Sequence, residues 1–437
     1  MSPDAIQDRP VQLLRRLLRF DTSNPPGNER ECIDWIRGLL EDLGCEVRIV
    51  SSVAERPNLI ARIPGRGEAP ALLLQGHVDV VAAPGTWRHE PFAGDVADGY
   101  VWGRGALDMK GGVAMLLAAF MRAQAAGARP AGDVILCLMS DEEAGSDLGA
   151  EYLVREHPEL FSGVRYSLGE FGGFTMQLAG RRFYPIMVAE KQVCWTRARI
   201  RGAAGHGSLP VRDGAMGRLG RVLSRLDRRR LPVHVTPVAR SMVEAIAGEV
   251  PAPLAATLRG LLRPRATDRL LDVFGQKARA FDPILHNTAS ATVLAGGEKI
   301  NVIPGEVSLE LDCRLLPGYR PEDLFAELRA LTGVEMELEV VRYDAVAAEP
   351  DMGMFATLAA ALSELDPTAR AVPLLLPAVT DGRFFSRLGI QTYGYLPMQL
   401  PEEMAFMELI HAPDERLPEP AVEFGTKAIG RVLERFA

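Results

Sequence analysis

Long apolar runs are missing from this chain. None approaches the ~20 residues that span a bilayer, so no membrane-embedded protein is expected. The opening Met1-Ser-Pro-Asp-Ala-Ile-Gln-Asp-Arg-Pro10 lacks the basic start and apolar core of a secretory leader. Cysteine is scarce: Cys32, Cys45, Cys137, Cys194 and Cys313 are scattered, without close pairing. Cys137, Cys194 and Cys313 lie in apolar or alternating segments and are expected to be small core residues, not disulfide partners. Excess positive charge is absent too, because the formal net charge is −8, which argues against nucleic acid as a partner. A soluble, cytoplasmic, disulfide-free protein is the expectation. Its 437 residues and 47% hydrophobic content suit a globular chain with two domains.

What the chain does contain is a series of apolar runs that end in chemistry. Leu72-Leu-Leu-Gln-Gly-His77-Val-Asp79-Val-Val81 has strand length, and alternation places His77 and Asp79 on one face near its C-terminal end. Ligands of open α/β sheets bind at that end of a strand. Asp79 is suitably placed to hold one nitrogen of His77 while the other binds a metal. Taken alone, the pair fits a structural hydrogen bond equally well. Asp108 follows in Gly103-Arg-Gly-Ala-Leu-Asp-Met-Lys-Gly-Gly112, before a helix over about 112–126; it reads as an N-cap or as a metal ligand. The strand 133–140 ends in Asp141-Glu142-Glu143, three acids that repel one another unless a cation or water intervenes. Ser146 is expected to cap a helix to about 156, and the strand 164–168 is followed by Glu170. Strands alternating with helices argue for an α/β sheet with right-handed crossovers.

From about 190 the texture changes. Alternation over 193–201, a turn at Gly202-Ala-Ala-Gly-His206-Gly-Ser-Leu-Pro210, a helix at 213–227, strands at 288–294 and 307–314, a helix near 321 and a strand at 334–341 make a compact α+β unit. It is expected to span 192–348 as an insertion between the two parts, 1–191 and 349–437, of the first domain. Residues 240–280 are helical and Arg-rich, and Arg228-Arg-Arg230 reads as a solvated helix end. The last part carries His411-Ala-Pro-Asp-Glu415-Arg.

His77, Asp108, Glu143, Glu170 and His411 together supply two imidazoles and three carboxylates, a mixture suited to two Zn²⁺-class ions that share a carboxylate and a water. With Gly76-His-Val-Asp79, Gly103–Gly111, Asp141-Glu-Glu143, Gly205-His-Gly-Ser-Leu-Pro210 and Asn301-Val-Ile-Pro-Gly305, the chain resembles the M20 metallopeptidase family from about residue 12 onward. That family includes acetylornithine deacetylase, succinyl-diaminopimelate desuccinylase, aminoacylase-1 and glutamate carboxypeptidase. The resemblance implies a mixed-sheet α/β/α sandwich of phosphorylase/hydrolase type with an inserted ferredoxin-like lid and dimerisation domain, and two zinc ions that Co²⁺ or Mn²⁺ replace. It implies that His77 and Glu170 bind one ion, Glu143 and His411 the other, and that Asp108 bridges both, with a cis peptide after it. Asp79 would orient His77, and Glu142 would be the general base toward a metal-bridging water. His206 would reach the developing oxyanion, usually across a homodimer. Asn301, Arg314 and the backbone of Gly382 would bind a substrate carboxylate. Left to themselves, His206 also fits a buried turn histidine and Arg314 a sheet-surface arginine.

The insert at 240–285 and Val188-Ala-Glu-Lys191 resemble the carboxypeptidase S and N-acyl-amino-acid hydrolase branch. The expected activity is hydrolysis of an amide bond beside a free carboxylate, in N-acyl amino acids or short peptides. A biosynthetic deacylase of acetylornithine or succinyl-diaminopimelate is the alternative. A scaffold that has lost catalysis would be expected to lack Glu142 or one of the five ligands, and none is missing.

Overall fold

The computed structural model describes residues 5–436 and separates into two compact units. The first runs to Val188 and resumes at Asp351–Leu374 and from Thr380 onward; the second is Ala189–Pro350 with Leu375–Val379. The N-terminal Met1-Ser-Pro-Asp4 lies outside the described residues. Among the described residues no helix is long and apolar enough to cross a membrane.

The first unit is built on a nine-stranded mixed sheet. Its spatial order is Glu46–Val50, Asn58–Ile63, Val134–Met139, Ala71–His77, Val164–Gly169, Gln391–Gly394, Arg181–Glu190 and Arg370–Leu376, with Met176–Leu178 paired to Arg181–Glu190. Ala71–His77 lies between two parallel neighbours, with His77 opposite Met139 and Leu74 opposite Leu168. Parallel registry therefore brings the C-terminal ends of all three strands to one edge. All seven residues of Ala71–His77 are buried, and burying each of its leucines contributes about 1.5–3 kcal/mol. The edge is thus a rigid platform. Beside the sheet, helix Lys110–Ala125 is buried along its first twelve residues. Its N-terminus fits closely: a Cβ on Gly111 would lie 2.2 Å from the Ala106 carbonyl oxygen.

Three local expectations need correction. The strand predicted over 72–81 ends at His77, because its neighbour ends at Met139 and offers no ladder beyond it. Asp79 therefore leaves the sheet and meets other partners. Ser146 does not cap the following helix, which starts at Ala150 after Gly149; its hydroxyl donates to Asp381. Arg230 is not simply solvated, because it pairs with Asp272 and Asp282, both at 2.7 Å.

The second unit carries an antiparallel sheet ordered Thr288–Ala295, Glu306–Leu315, Gln192–Arg201, Glu337–Asp344. Helices Ala215–Arg228 and Pro321–Thr332 complete the β-α-β-β-α-β order of a ferredoxin-like unit. The helices Pro237–Glu249, Ala252–Leu261 and Pro264–Phe274 form the insert before Thr288. All five cysteines are buried and free.

Lys191 is an unusual cation here. It is fully buried, and Nζ donates to the His286 carbonyl at 2.9 Å and to Thr288 Oγ1 at 3.1 Å. Burial, and then the neighbouring Arg314 guanidinium, pull its pKa down to about 7, against about 10.4 in an unfolded chain. Between those values the unfolded state holds a proton that the folded state has lost, so the contribution of Lys191 to stability rises with pH. Between pH 7 and 8 the unfolding free energy of the wild type relative to Lys191→Met should rise by about 1 kcal/mol. Urea titrations across that window should show the slope, and parallel curves would contradict it.

Candidate metal centre

His77 closes its strand with the ring fixed at both nitrogens. Nδ1 lies 3.0 Å from the backbone carbonyl of Asp79 and 3.5 Å from Asp79 Oδ1. A proton on Nδ1 satisfies both acceptors and leaves the Nε2 lone pair facing the site. Nε2 is 3.3 Å from Asp108 Oδ1, 3.7 Å from Glu170 Oε2 and 4.0 Å from Glu142 Oε2. Asp79 does more than face the ring. Its buried carboxylate accepts the backbone N–H groups of Glu142 and Glu143, each at 3.1 Å, and Asn24 Nδ2 at 3.0 Å. One side chain thereby fixes both the histidine and the turn bearing the two glutamates.

Asp108 stands at the end of the glycine-lined loop, and the peptide after it is cis. Helix Lys110–Ala125 has Met109 at its N-cap and no side-chain cap, so the carboxylate of Asp108 is free for the site. Oδ1 faces His77, while Oδ2 is 3.1 Å from His411 Nε2. His411 Nε2 is also 3.2 Å from Glu143 Oε1. Two donor groups result, His77–Asp108–Glu170 and Asp108–Glu143–His411, each with its donor atoms within 4.8 Å of one another. They share Asp108. Imidazole nitrogen and carboxylate oxygen in this mixture suit divalent cations of the zinc class.

Electrostatics point the same way. Burial, and then the Glu170 carboxylate, push the Glu142 carboxyl well above its ordinary range. Burial raises Glu170 to about 7. Contact with Asp108 and Glu143 raises His411 to about 10. His77 also rises, because Asp108, Asp79 and Glu170 outweigh the opposing effect of burial. Protons on these groups stand in for positive charge that the cluster otherwise lacks.

Of the three consecutive acids, Asp141 is set apart. It sits at φ 73°, accepts from Arg56 at 3.0 Å and Asn24 at 3.1 Å, and also accepts the Leu148 N–H at 3.0 Å. In the second unit, His206 is exposed on the two-residue strand Gly205–His206, opposite Val302. Its Nδ1 receives the Ser208 N–H at 3.3 Å, which leaves the proton on Nε2. The Asn301 carbonyl accepts from Gly207 at 2.8 Å, beside the same two-stranded pairing. Arg314 is forked onto Asp312 at 2.8 and 3.1 Å. Gly382 is buried, and its N–H donates to Thr380 Oγ1 at 3.0 Å. Asn24, Asp381 and Glu415 escaped the sequence analysis. Glu415 lay inside a segment already singled out by His411, but buried acids leave no periodic mark.

The comparisons with known proteins agree with this geometry. Residues 73–435 match peptidase family M20/M25/M40. A probable carboxypeptidase S-like 2 from Dictyostelium discoideum is 24% identical over 373 residues, covering 79% of this chain and 68% of that protein. A succinyl-diaminopimelate desuccinylase from Magnetococcus marinus is 28% identical over 451 residues, covering 98% of each. The crystal structure of an M20 family metallo-carboxypeptidase from Sulfolobus solfataricus shares the fold with a TM-score of 0.68, at 16% identity over 98% of this chain and 99% of that one. The chain belongs to peptidase family M20/M25/M40 and is a hydrolase of the peptide and acyl-amino-acid type.

Proposed function

We propose that the chain is a dinuclear zinc hydrolase that cleaves an amide bond beside a free carboxylate, in N-acyl amino acids or short peptides. The observation that carries this is the pair of donor groups joined through Asp108. His77, Asp108 and Glu170 would hold one ion, and Asp108, Glu143 and His411 the other; Co²⁺ or Mn²⁺ would fit the same donors. Two such cations, when bound, acidify water and polarise the scissile carbonyl.

The protein's own residues supply the proton handling. Glu142 stays outside both donor groups while its neighbour Glu143 belongs to one, so its carboxylate is free to act. It takes a proton from the attacking water as the C–O bond forms, then delivers one to the amine nitrogen as the C–N bond breaks. Asp79 keeps Glu142 in place through the backbone and also faces the His77 ring. His206 would donate Nε2–H to the developing oxyanion. Asn301, Arg314 and the Gly382 backbone would receive the substrate carboxylate, with Arg314 exchanging Asp312 for it as a bidentate partner. A homodimer is supported by the edge strand Thr288–Ala295, where Val293 and Leu294 are 53% and 55% exposed.

Glu142→Gln should retain two zinc ions per chain while kcat falls by about 10²–10⁴, measured by elemental analysis beside a rate assay. Wild-type turnover in that variant would remove the general-base role. A panel of N-acyl amino acids, dipeptides, acetylornithine and succinyl-diaminopimelate, with matching carboxyl-amidated compounds, separates the substrate classes. Loss of the free carboxylate should abolish turnover, and equal turnover of the amides would contradict the carboxylate requirement. Asp79→Asn turns an amide N–H toward donors, and should lower the stability of the metal-free chain by about 1–3 kcal/mol in urea titration. An unchanged midpoint would show that the Asp79 hydrogen bonds carry no weight.

A further inference from the structure

The two histidines of the candidate centre are held in different ways. His77 has its second nitrogen bonded to the Asp79 carbonyl and is 1% exposed. His411 has a side chain 45% exposed, and among the described residues its Nδ1 has no hydrogen-bond partner. It also sits at φ 62°, as does Asp414 three residues on. Apart from the Nε2 contacts to Asp108 and Glu143, which a bound cation would replace, nothing on its own ring fixes His411, so its position must come from its backbone.

That backbone is braced by a wholly buried ion pair. Arg104 Nη1 meets Glu415 Oε2 at 2.6 Å, with side chains 1% and 0% exposed. Arg104 Nη2 donates to the His411 carbonyl at 3.2 Å, and Nη1 donates to that of Ala412 at 3.3 Å. Glu415 works in the opposite direction. Its Oε1 accepts the N–H groups of Leu107 at 2.7 Å and Asp108 at 3.2 Å, and Oε2 accepts that of Gly105 at 3.1 Å. The arginine belongs to the loop that carries Asp108 and grips the His411 turn; the glutamate belongs to the His411 segment and grips the Asp108 loop. The two loops lie some three hundred residues apart in sequence and meet at a short antiparallel ladder, Tyr100–Trp102 against Arg416–Pro418; that ladder stops short of both His411 and Asp108, and the Arg104–Glu415 contacts continue it toward them.

We infer that, with His77, Glu143 and Glu170 set by the strand ends, the Arg104–Glu415 pair is a positioning device that sets His411 against Asp108 within the group Asp108–Glu143–His411. The inference rests on the proposed function, because it takes those three residues as the holders of one ion. It grades the two halves: damage to the pair should weaken the cation at Glu143 and His411 most, and the other only through the shared Asp108.

The test uses the full chain, stripped with chelator and titrated with Zn²⁺ alone against a competing chelator. Wild type should take up two ions. In Glu415→Gln one of them should bind about 10–100-fold more weakly, as is usual when a ligand's supporting partner is lost, while the other weakens distinctly less. With zinc at subsaturating levels kcat should fall with little change in KM, and excess zinc should restore it. Arg104→Lys preserves a cation opposite Glu415 but gives up the fork on the His411 and Ala412 carbonyls. It should again weaken the ion at His411 more than the other, and it decides the matter if Glu415→Gln does not fold. Two ions at wild-type affinity in a folded variant, or equal loss of both, would overturn the positioning role. A wild-type chain that binds fewer than two ions would overturn the dinuclear reading itself, a result distinguishable from either variant outcome.

Discussion

The structure depends on an electrostatic problem that it creates for itself. Asp79, Asp108, Glu142, Glu143, Glu170 and Asp381 crowd one sheet edge, with the imidazoles of His77 and His411 among them and Arg383 beside Asp381. Two like charges ~4 Å apart at a protein surface repel by about 4 kcal/mol, and more where water is excluded. Burial first, and then neighbouring carboxylates, push Glu142, Glu170 and Asp381 upward, and protonation relieves part of the repulsion. Divalent cations relieve it better, since each neutralises two carboxylates and satisfies their lone pairs. The site is thus poorly satisfied without cations and well matched to them, which is how a fold encodes a metal requirement.

The fold meets the resulting strain with two kinds of support. Parallel strand ends, buried on both sides, place His77, the Glu142–Glu143 turn and Glu170 with little freedom. The remaining donors come from loops, and buried hydrogen bonds replace the ladder there. Asp79 ties down the glutamate turn, Arg56 and Asn24 hold Asp141 in its left-handed conformation, and Ser146 is tied to Asp381. Breaking such contacts costs more than making them contributes, because the partner is left buried and unpaired.

Much of this was legible in the sequence, for a physical reason. Apolar runs of strand length announce the sheet, and parallel strands send their ends to one edge, so the residues just beyond each run are neighbours in space. That logic brought His77, Asp108, Glu142, Glu143 and Glu170 together; His411 completed a metal-type donor set with them, and the family resemblance gave each its role. It failed where an outcome hangs on a specific partner. The strand after His77 was drawn four residues too long because Val78-Asp-Val-Val81 alternates well; only the end of the neighbouring strand at Met139 stops it. Ser146 looks like a cap, yet a buried Asp381 more than two hundred residues away claims its hydroxyl. Arg104 and Glu415 stand inside the motif segments Gly103–Gly112 and His411–Arg416, but nothing local tells a buried charge pair from two solvated ones.

The most direct measurement of the central claim is anomalous diffraction at the zinc edge from crystals of the chain grown with excess zinc. Two peaks roughly 3.5–4 Å apart, one beside His77 and Glu170, the other beside Glu143 and His411, with Asp108 between them, are predicted. A single peak, or peaks away from these side chains, would contradict the account.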